Sequence, residues 1–315
     1  MLKHKPMAVH LMMRQLLAGK TTPFQIMSDL HLEVGQQYLT FQVPPTAPCL
    51  VLAGDIGQLS NYDLYLSFLC LQCEQFLRVF LVLGNHEFFG MSHDEGLCIA
   101  DRLEKGPVLA GRLVVLHRRR YDLEEQSDIT VLGCTLWSRV HPGARDIVES
   151  KVKDFRRIQD WGVDKHNEEH VKDVEWLQEQ IGLIRKEPNG DKRRIIAVTH
   201  HAPSTQQTSK PSDINNPWTS AFASDLVGLK DTPVLSEVQW WIFGHTHYST
   251  HFTKDGVKVV SNQRGYSLPQ TTDHTAPTAI RKSFGSDLIT SISGGLISRR
   301  GQNQSAFDDQ KIINV

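Results

Sequence analysis

The 315-residue sequence predicts an α/β protein, on three observations. Short apolar runs recur that are too brief for buried helices and suit strands covered on both faces. Stretches of helical spacing separate several of them, which implies parallel pairing through right-handed crossovers. Five of the runs end in Asp, Asn or His. Open α/β sheets bind ligands outside the carboxyl ends of their strands, so five such ends describe one polar site.

The first run, Gln25-Ile26-Met27, leads into Ser28-Asp29-Leu30-His31. A loop with Pro44, Pro45 and Pro48 separates it from Leu50-Val51-Leu52, which leads into Ala53-Gly54-Asp55. Ser60-x-x-Asp63 reads as a capping box opening a helix to about Arg78. Phe80-Leu81-Val82-Leu83 then runs into Gly84-Asn85-His86-Glu87, and Ser92-x-x-Glu95 opens a second helix to about Lys105. Strands are expected near 113–116 and 129–132. The segment 147–187 is mostly helical, with Val171, Val174, Leu177, Ile181 and Ile184 at helical spacing. Ile195-Ile196-Ala197-Val198 delivers Thr199-His200-His201, and Trp240-Trp241-Ile242-Phe243 delivers Gly244-His245-Thr246-His247. Asp255-Gly256 marks a type I′ hairpin turn soon after. Residues 1–23 read as a mobile arm. From Pro269 to Val315 the chain is rich in Ser, Thr, Gly and Gln without a sustained apolar period, and it reads as a disordered, dispensable tail.

Bulk properties narrow the function. A net charge of −1 argues against a broad nucleic-acid-binding face. The runs Arg118-Arg119-Arg120 and Lys192-Arg193-Arg194 read as solvated loop ends. Five cysteines, several inside apolar runs, suit a reducing, cytoplasmic setting rather than a disulfide framework. The Cys70-x-x-Cys73 pair lacks a second pair to complete a zinc site. No apolar run is long enough to span a membrane. The first 28 residues carry Lys3, Lys5, Arg14 and Lys20 and no acid, but a single Arg and little Ser weigh against a mitochondrial presequence.

Asp29 or Asp55 alone would read as a cap; the coincidence of five strand ends carries the functional inference. Asp29, His31, Asp55, Asn85, His200, His245 and His247 offer hard oxygen and imidazole nitrogen but no thiolate, a set that suits Mn, Fe or Zn. These seven candidates are too many for one ion and fit two ions sharing a carboxylate. Two ions about 3.5–4 Å apart can generate a hydroxide at neutral pH and clamp a phosphoryl group during in-line displacement. An imidazole outside the ligand set could protonate the leaving oxygen. His166 and His170, four apart in His-Asn-Glu-Glu-His, lack the Glu after the first His that a zincin helix requires.

In order and approximate spacing, Asp29-x-His31, Gly54-Asp55, Gly84-Asn85-His86-Glu87, His200 and Gly244-His245-Thr246-His247 resemble the calcineurin-like metallophosphoesterases. The resemblance runs from about residue 24 to 268. The chain is also similar to uncharacterised fungal members described as Ser/Thr protein phosphatase-like. The resemblance implies a four-layer αββα sandwich of two mixed sheets flanked by helices. It implies that Asp29, His31 and His247 hold one metal, that Asn85, His200 and His245 hold the second, and that Asp55 bridges them. His86 would be the general acid. Mn is the expected metal of both sites, and the expected substrate is a phosphorylated small molecule or phosphoprotein, monoester or diester. Gln58 stands where purple acid phosphatases carry a metal-binding Tyr, so a purple ferric site is not expected. The Gly-His-Thr-His ending sets the chain apart from the protein Ser/Thr phosphatases proper. An inactive binding scaffold and a nuclease of the same superfamily are the competing readings. The loop 202–217, with Trp218 and Phe222 beyond it, is expected to wall the pocket.

Overall fold

The five apolar runs all become strands, and residue alternation along them decides which layer each side chain enters. The computed structural model describes residues 21–109, 111–123, 128–268 and 306–315. Strands β1 (Pro23–Met27), β2 (Cys49–Ala53), β3 (Arg78–Val82) and β4 (Leu113–Val115) run parallel in one sheet. Strand β11 (Ile312–Asn314) lies antiparallel on its β1 edge. In the second sheet β6 (Ile129–Cys134), β7 (Arg194–Thr199), β8 (Trp240–Phe243) and β10 (Val257–Ser261) are parallel. Strands β5 (Arg119–Asp122) and β9 (His251–Lys254) close its two edges antiparallel.

Successive strand residues face opposite sides. Leu50, Leu52 and Leu81 therefore face outward, onto α1 (Tyr62–Gln75) and α2 (His93–Glu104), where Tyr65, Phe68, Leu69, Ala100 and Leu103 meet them. Val51, Ala53, Phe80 and Val82 face inward and pack on Val131, Ile196, Val198 and Ile242 of the other sheet. Leu132, Ala197 and Trp241 form the outer face of that second sheet, covered by Leu177, Ile181 and Ile184 of α5 (Val163–Lys186). The result is four layers, helix, sheet, sheet, helix, with the two sheets sharing a buried apolar interface. Two shorter helices, α3 (Arg145–Lys151) and α4 (Asp154–Arg157), precede α5.

Several local expectations hold. Ser92 and Glu95 form a reciprocal capping box at the start of α2. Asp255 (φ 48°) and Gly256 (φ 84°) both take the positive φ that a type I′ turn demands. Others do not. A 3₁₀ turn over Leu59–Asn61 occupies the positions of the Ser60 box, and α1 starts at Tyr62 without a side-chain cap. The first basic run is not a solvated loop end, and in the second Arg193 and Arg194 pair with Asp122 and Asp128 while Lys192 is exposed. Arg119 and Arg120 lie in β5, Arg118 bonds Glu169 and Asp173 at 2.9 Å each, and Arg120 pairs with Asp122 and Glu187. His166 approaches Ser138, and His170 Nδ1 sits 2.9 Å from the Trp137 carbonyl, so both imidazoles face the second sheet's loops.

The expected dispensable tail needs the largest correction. Residues 1–20 of the expected arm and 269–305 of the expected tail lie outside the described residues. The segment 306–315, by contrast, is built into the first sheet. Gln25 pairs with Ile312 and Pro23 with Asn314, while Ile313 and Val315 are buried. Phe307 packs on the outer core, and Asn262 donates to the carbonyls of both Ile26 and Asp308 at 2.7 Å. The physical reason is that a three-residue edge strand needs only alternate apolar residues, too little for a composition window to register.

Deleting residues 306–315 should therefore destabilise the protein. Burying an aliphatic side chain is worth roughly 1.5–3 kcal/mol, and two are lost. Thermal unfolding should show a melting temperature lower by roughly 5–15 °C. An unchanged melting temperature would mean that β11 adds nothing to the sheet.

Candidate metal centre

At three of the five strand ends, those of β1, β2 and β8, the chain turns abruptly into left-handed backbone. Asp29, His31, Asp55, His245 and His247 all have φ between 47° and 72°, a left-handed backbone that only Gly adopts freely. Strain of this kind, of order 1–3 kcal/mol per residue, persists only where surroundings over-determine it. Here the surroundings are close-packed ligand side chains and backbone. A Cβ on Gly54 (φ +85°) would stand 2.3 Å from His200 Nδ1, and one on Gly84 would stand 2.3 Å from Asp55 Oδ1. Gly54 thus admits His200 from the other sheet, and Gly84 admits Asp55 from the neighbouring strand.

One carboxylate ties these loops together. Glu87 is fully buried and accepts from the backbone N–H groups of Asp55 (2.9 Å), Ile56 (2.8 Å), Gly57 (3.3 Å) and Gly84 (2.7 Å). The Tyr65 hydroxyl donates a further bond at 2.9 Å. Burial and the nearby Asp55 charge push the Glu87 carboxyl up to about 7, against the pull of His200 and of the backbone donors. The residue whose type seemed incidental in the sequence is the fastener of the Asp55 and Asn85 loops.

The seven residues expected from the sequence converge into two groups. In the first, ligand atoms of Asp29, His31 and His247 lie within 4.8 Å of one another. His31 Nε2 stands 2.9 Å from His247 Nε2, and His247 Nε2 stands 3.5 Å from Asp29 Oδ1. The second group holds Asp55, His200 and His245 within the same spacing. His200 Nε2 lies 3.0 Å from Asn85 Oδ1, 3.1 Å from His245 Nδ1 and 3.3 Å from Asp55 Oδ1. Asp55 faces both groups, with Oδ1 toward His200 and Oδ2 3.8 Å from His31 Nε2.

This geometry calls for positive charge. The Ala53 carbonyl can only accept, so His200 Nδ1 donates to it at 2.9 Å. In the neutral ring Nε2 is then a lone pair, aimed at the Asn85 and Asp55 oxygens. Acceptors facing acceptors in a buried site repel unless a proton or a cation stands between them. Burial by itself would strip a proton from His200, yet attraction to Asp55 pushes its pKa up to about 10. Burial likewise opposes ionisation of Asp55, but His200 and His86 hold it well below the usual carboxylate range. Imidazoles that donate their far N–H to a backbone carbonyl are typical metal ligands. The donor set therefore fits divalent cations, with the His200 proton occupying their electrostatic place.

His86 stands outside both groups. Its N–H donates to Asp55 Oδ1 at 2.9 Å, and its ring reaches Glu33 Oε1 (Nδ1, 2.9 Å) and the Tyr266 hydroxyl (Nε2, 3.1 Å). Burial disfavours a charged His86, but Asp55 and Glu33 outweigh it and raise its pKa. Burial similarly opposes Glu33, while bonds to His31 and His86 hold it down to about 2. Asn85 donates its amide to Asp154 Oδ1 at 2.7 Å, which turns Oδ1 of the amide toward His200. A cavity of about 260 Å³ opens over these groups, lined by Asp55, Asn85, His86, His245 and His247 below and by Trp218, Phe222 and Tyr266 around them. Trp218 and Phe222 were expected in this wall, but the loop 202–217 expected with them supplies none of its lining residues. His201 is fully buried behind His245, ring centres 4.1 Å apart, and does not line the cavity.

Sequence reasoning missed Glu33, Asp154 and Tyr266. Glu33 had a signal, since it follows His31 by two residues. Asp154 lies in a helix and Tyr266 in the loop after the last hairpin, away from the strand ends, and neither had one.

A family model for calcineurin-like phosphoesterases matches residues 22–249. An uncharacterised protein of Acanthamoeba polyphaga mimivirus is 27% identical over 263 residues, covering 76% of this chain and 90% of that protein. The structure of a phosphopantetheinyl hydrolase from Mycobacterium tuberculosis superposes with a TM-score of 0.55 at 16% identity, over 79% of this chain and 91% of that one. That likeness is one of fold. A dimetal phosphatase from Danio rerio aligns with a TM-score of 0.43 at 13% identity, over 76% of this chain and 86% of that one.

Replacing Glu87 by Gln tests the fastening role without changing its size. The carboxamide must turn an N–H₂ toward backbone donors, and each donor left unpaired costs about 1–3 kcal/mol. Denaturant unfolding should show a loss of at least roughly 2 kcal/mol. A change below about 0.5 kcal/mol, the usual scale for sites without such features, would remove Glu87 from this role.

Proposed function

Because the chain belongs to the calcineurin-like phosphoesterase family, we propose that it hydrolyses a phosphoric ester in the 260 Å³ cavity, with two divalent cations as cofactors. The observation that carries this reading is that Asp55 faces two ligand groups at once. Asp29, His31 and His247 would hold one ion, Asn85, His200 and His245 the other, and Asp55 would serve both. The oxygen and nitrogen donors suit Mn first, with Fe or Zn as alternatives. When bound, such ions neutralise the ester oxygens and lower the pKa of water enough to make it a nucleophile at neutral pH.

The chain's own groups supply the remainder. Asn85 contributes an amide oxygen rather than a carboxylate, which leaves the site less repulsive to an anion. Glu33 orients His86 through Nδ1 and keeps the ring protonated. The Nε2 proton of His86 then points into the cavity, where it passes to the leaving oxygen as the phosphorus–oxygen bond breaks. The Tyr266 hydroxyl, 3.1 Å from that nitrogen, marks where an oxygen atom sits in bonding distance of it. Phe222, stacked on His245 with ring centres 4.7 Å apart, keeps water from that ligand's outer face.

Metal analysis of purified variants checks the assignment. Asp55→Asn should lower the content of both ions, whereas His247→Ala should mainly empty one. Full loading and normal turnover in Asp55→Asn would refute the shared role.

Substrate dependence checks His86. His86→Ala should keep both metals but lose about 10²–10⁴-fold in rate on alkyl esters, the range of general acid catalysis. A p-nitrophenyl ester, whose leaving group needs no proton, should lose much less. Equal losses on the two would leave His86 as a phosphate contact only, and loss of metal would make it a ligand.

A further inference from the structure

The cavity also carries two groups for which reaction at phosphorus has no use. Lys151 ends α3 and Lys153 caps α4, and both line the cavity. Val152 between them is buried with Val148 and Ala221, in a cluster that also takes in Trp218 and Phe222. That anchor holds the two lysines at the rim. Among the described residues neither ammonium has a carboxylate partner, while Lys105, Lys172 and Lys254 each have one. Asp154, next in the chain, is buried and already accepts from Asn85, so it does not face the lysines as a free anion.

Their position relative to His86 assigns them a side. The Lys153 ammonium lies 5.6 Å from the centre of the Tyr266 ring, and the hydroxyl of that ring reaches His86 Nε2. His86 donates to the leaving oxygen in the reading above, so Lys153 stands on the leaving-group side, and Lys151, two residues before it, lines the same cavity. Two cations lining one cavity without carboxylate partners match the charge of a phosphate dianion. We propose that the substrate is a phosphoric ester whose leaving group carries a second phosphate, held by Lys151 and Lys153. This rests on the ester-hydrolase reading. Water adds its oxygen to the phosphorus, the bond to the leaving oxygen breaks, and that oxygen takes the His86 proton. The products are inorganic phosphate, or a phosphomonoester if the substrate is a diester, and an alcohol still bearing its own phosphate.

The test compares butane-1,4-diol bisphosphate with butyl phosphate, which share the same alkoxide chemistry. Wild-type, Mn-loaded protein should show kcat/KM at least ~10-fold higher on the bisphosphate, mainly through KM. The Lys151→Ala/Lys153→Ala double variant should lose that preference while its turnover of butyl phosphate stays within about twofold, since neither lysine contacts the reacting group. Equal losses on both esters would reduce the lysines to long-range steering and overturn the subsite. So would a wild type with no preference. Should neither ester be turned over, the hydrolase reading fails, and calorimetric binding of the same two compounds decides the subsite alone. Tighter binding of the bisphosphate that vanishes in the double variant supports it; equal binding overturns it.

Discussion

The buried carboxylate of Glu87 sets the geometry on which the rest of the site depends. Strands β2 and β3 bring Asp55 and Asn85 near each other, but strands end in loops, and loops have many conformations. Four backbone donors pointing at one carboxylate leave these two loops a single arrangement. The interaction lies in the core, screened from water, so each bond is worth more than it would be at the surface. From it follow the positions of Asp55 and Asn85, and through Asp55 Oδ1 the position of the His86 backbone. The left-handed residues on both sheets are affordable only against such a frame.

Charge follows from the same arrangement. Aspartates and imidazoles crowd the largely buried floor of the cavity, and the site resolves this by separating roles. Burial and the neighbouring His200 keep His245 well below its ordinary pKa, hence neutral and a lone-pair donor. His200 and His86 are driven the other way by Asp55. Behind them His166 and His201 are kept neutral, chiefly by burial, with His166 down to about 3. A shell of neutral rings around a demand for positive charge suits a site that concentrates divalent cations rather than protons.

Much of this was legible in the sequence because strand ends have a strong signature. An apolar run followed at once by a ligand residue needs no tertiary information to be read, and at Gly54, Gly84 and Gly244 the lack of room for a Cβ explains the Gly. What was not legible depended on distance. Glu33 is visible beside His31, yet only folding brings it to His86. Tyr266 follows the last hairpin and reaches the cavity because β10 pairs with β8, a register no local pattern announces. Ser60-x-x-Asp63 carried the right residue types, but the tight turn after Asp55 used those positions first. The basic runs misled because their acids are distant in sequence, among them Glu169, Asp173 and Glu187 for the first and Asp122 and Asp128 for the second.

Strand β11 joins β1 across nearly the whole chain, and that separation has a kinetic meaning. Pairs such as Gln25 with Ile312 carry a large loop-closure cost, so contacts of this kind tend to form late and slow folding. The strand that leads into Asp29 stays an open edge until then, with unpaired backbone groups that another chain can pair with. Chains interrupted before residue 306 would present that edge permanently. Refolding at high protein concentration is where this feature should matter most, because edge-to-edge association competes there with the native closure.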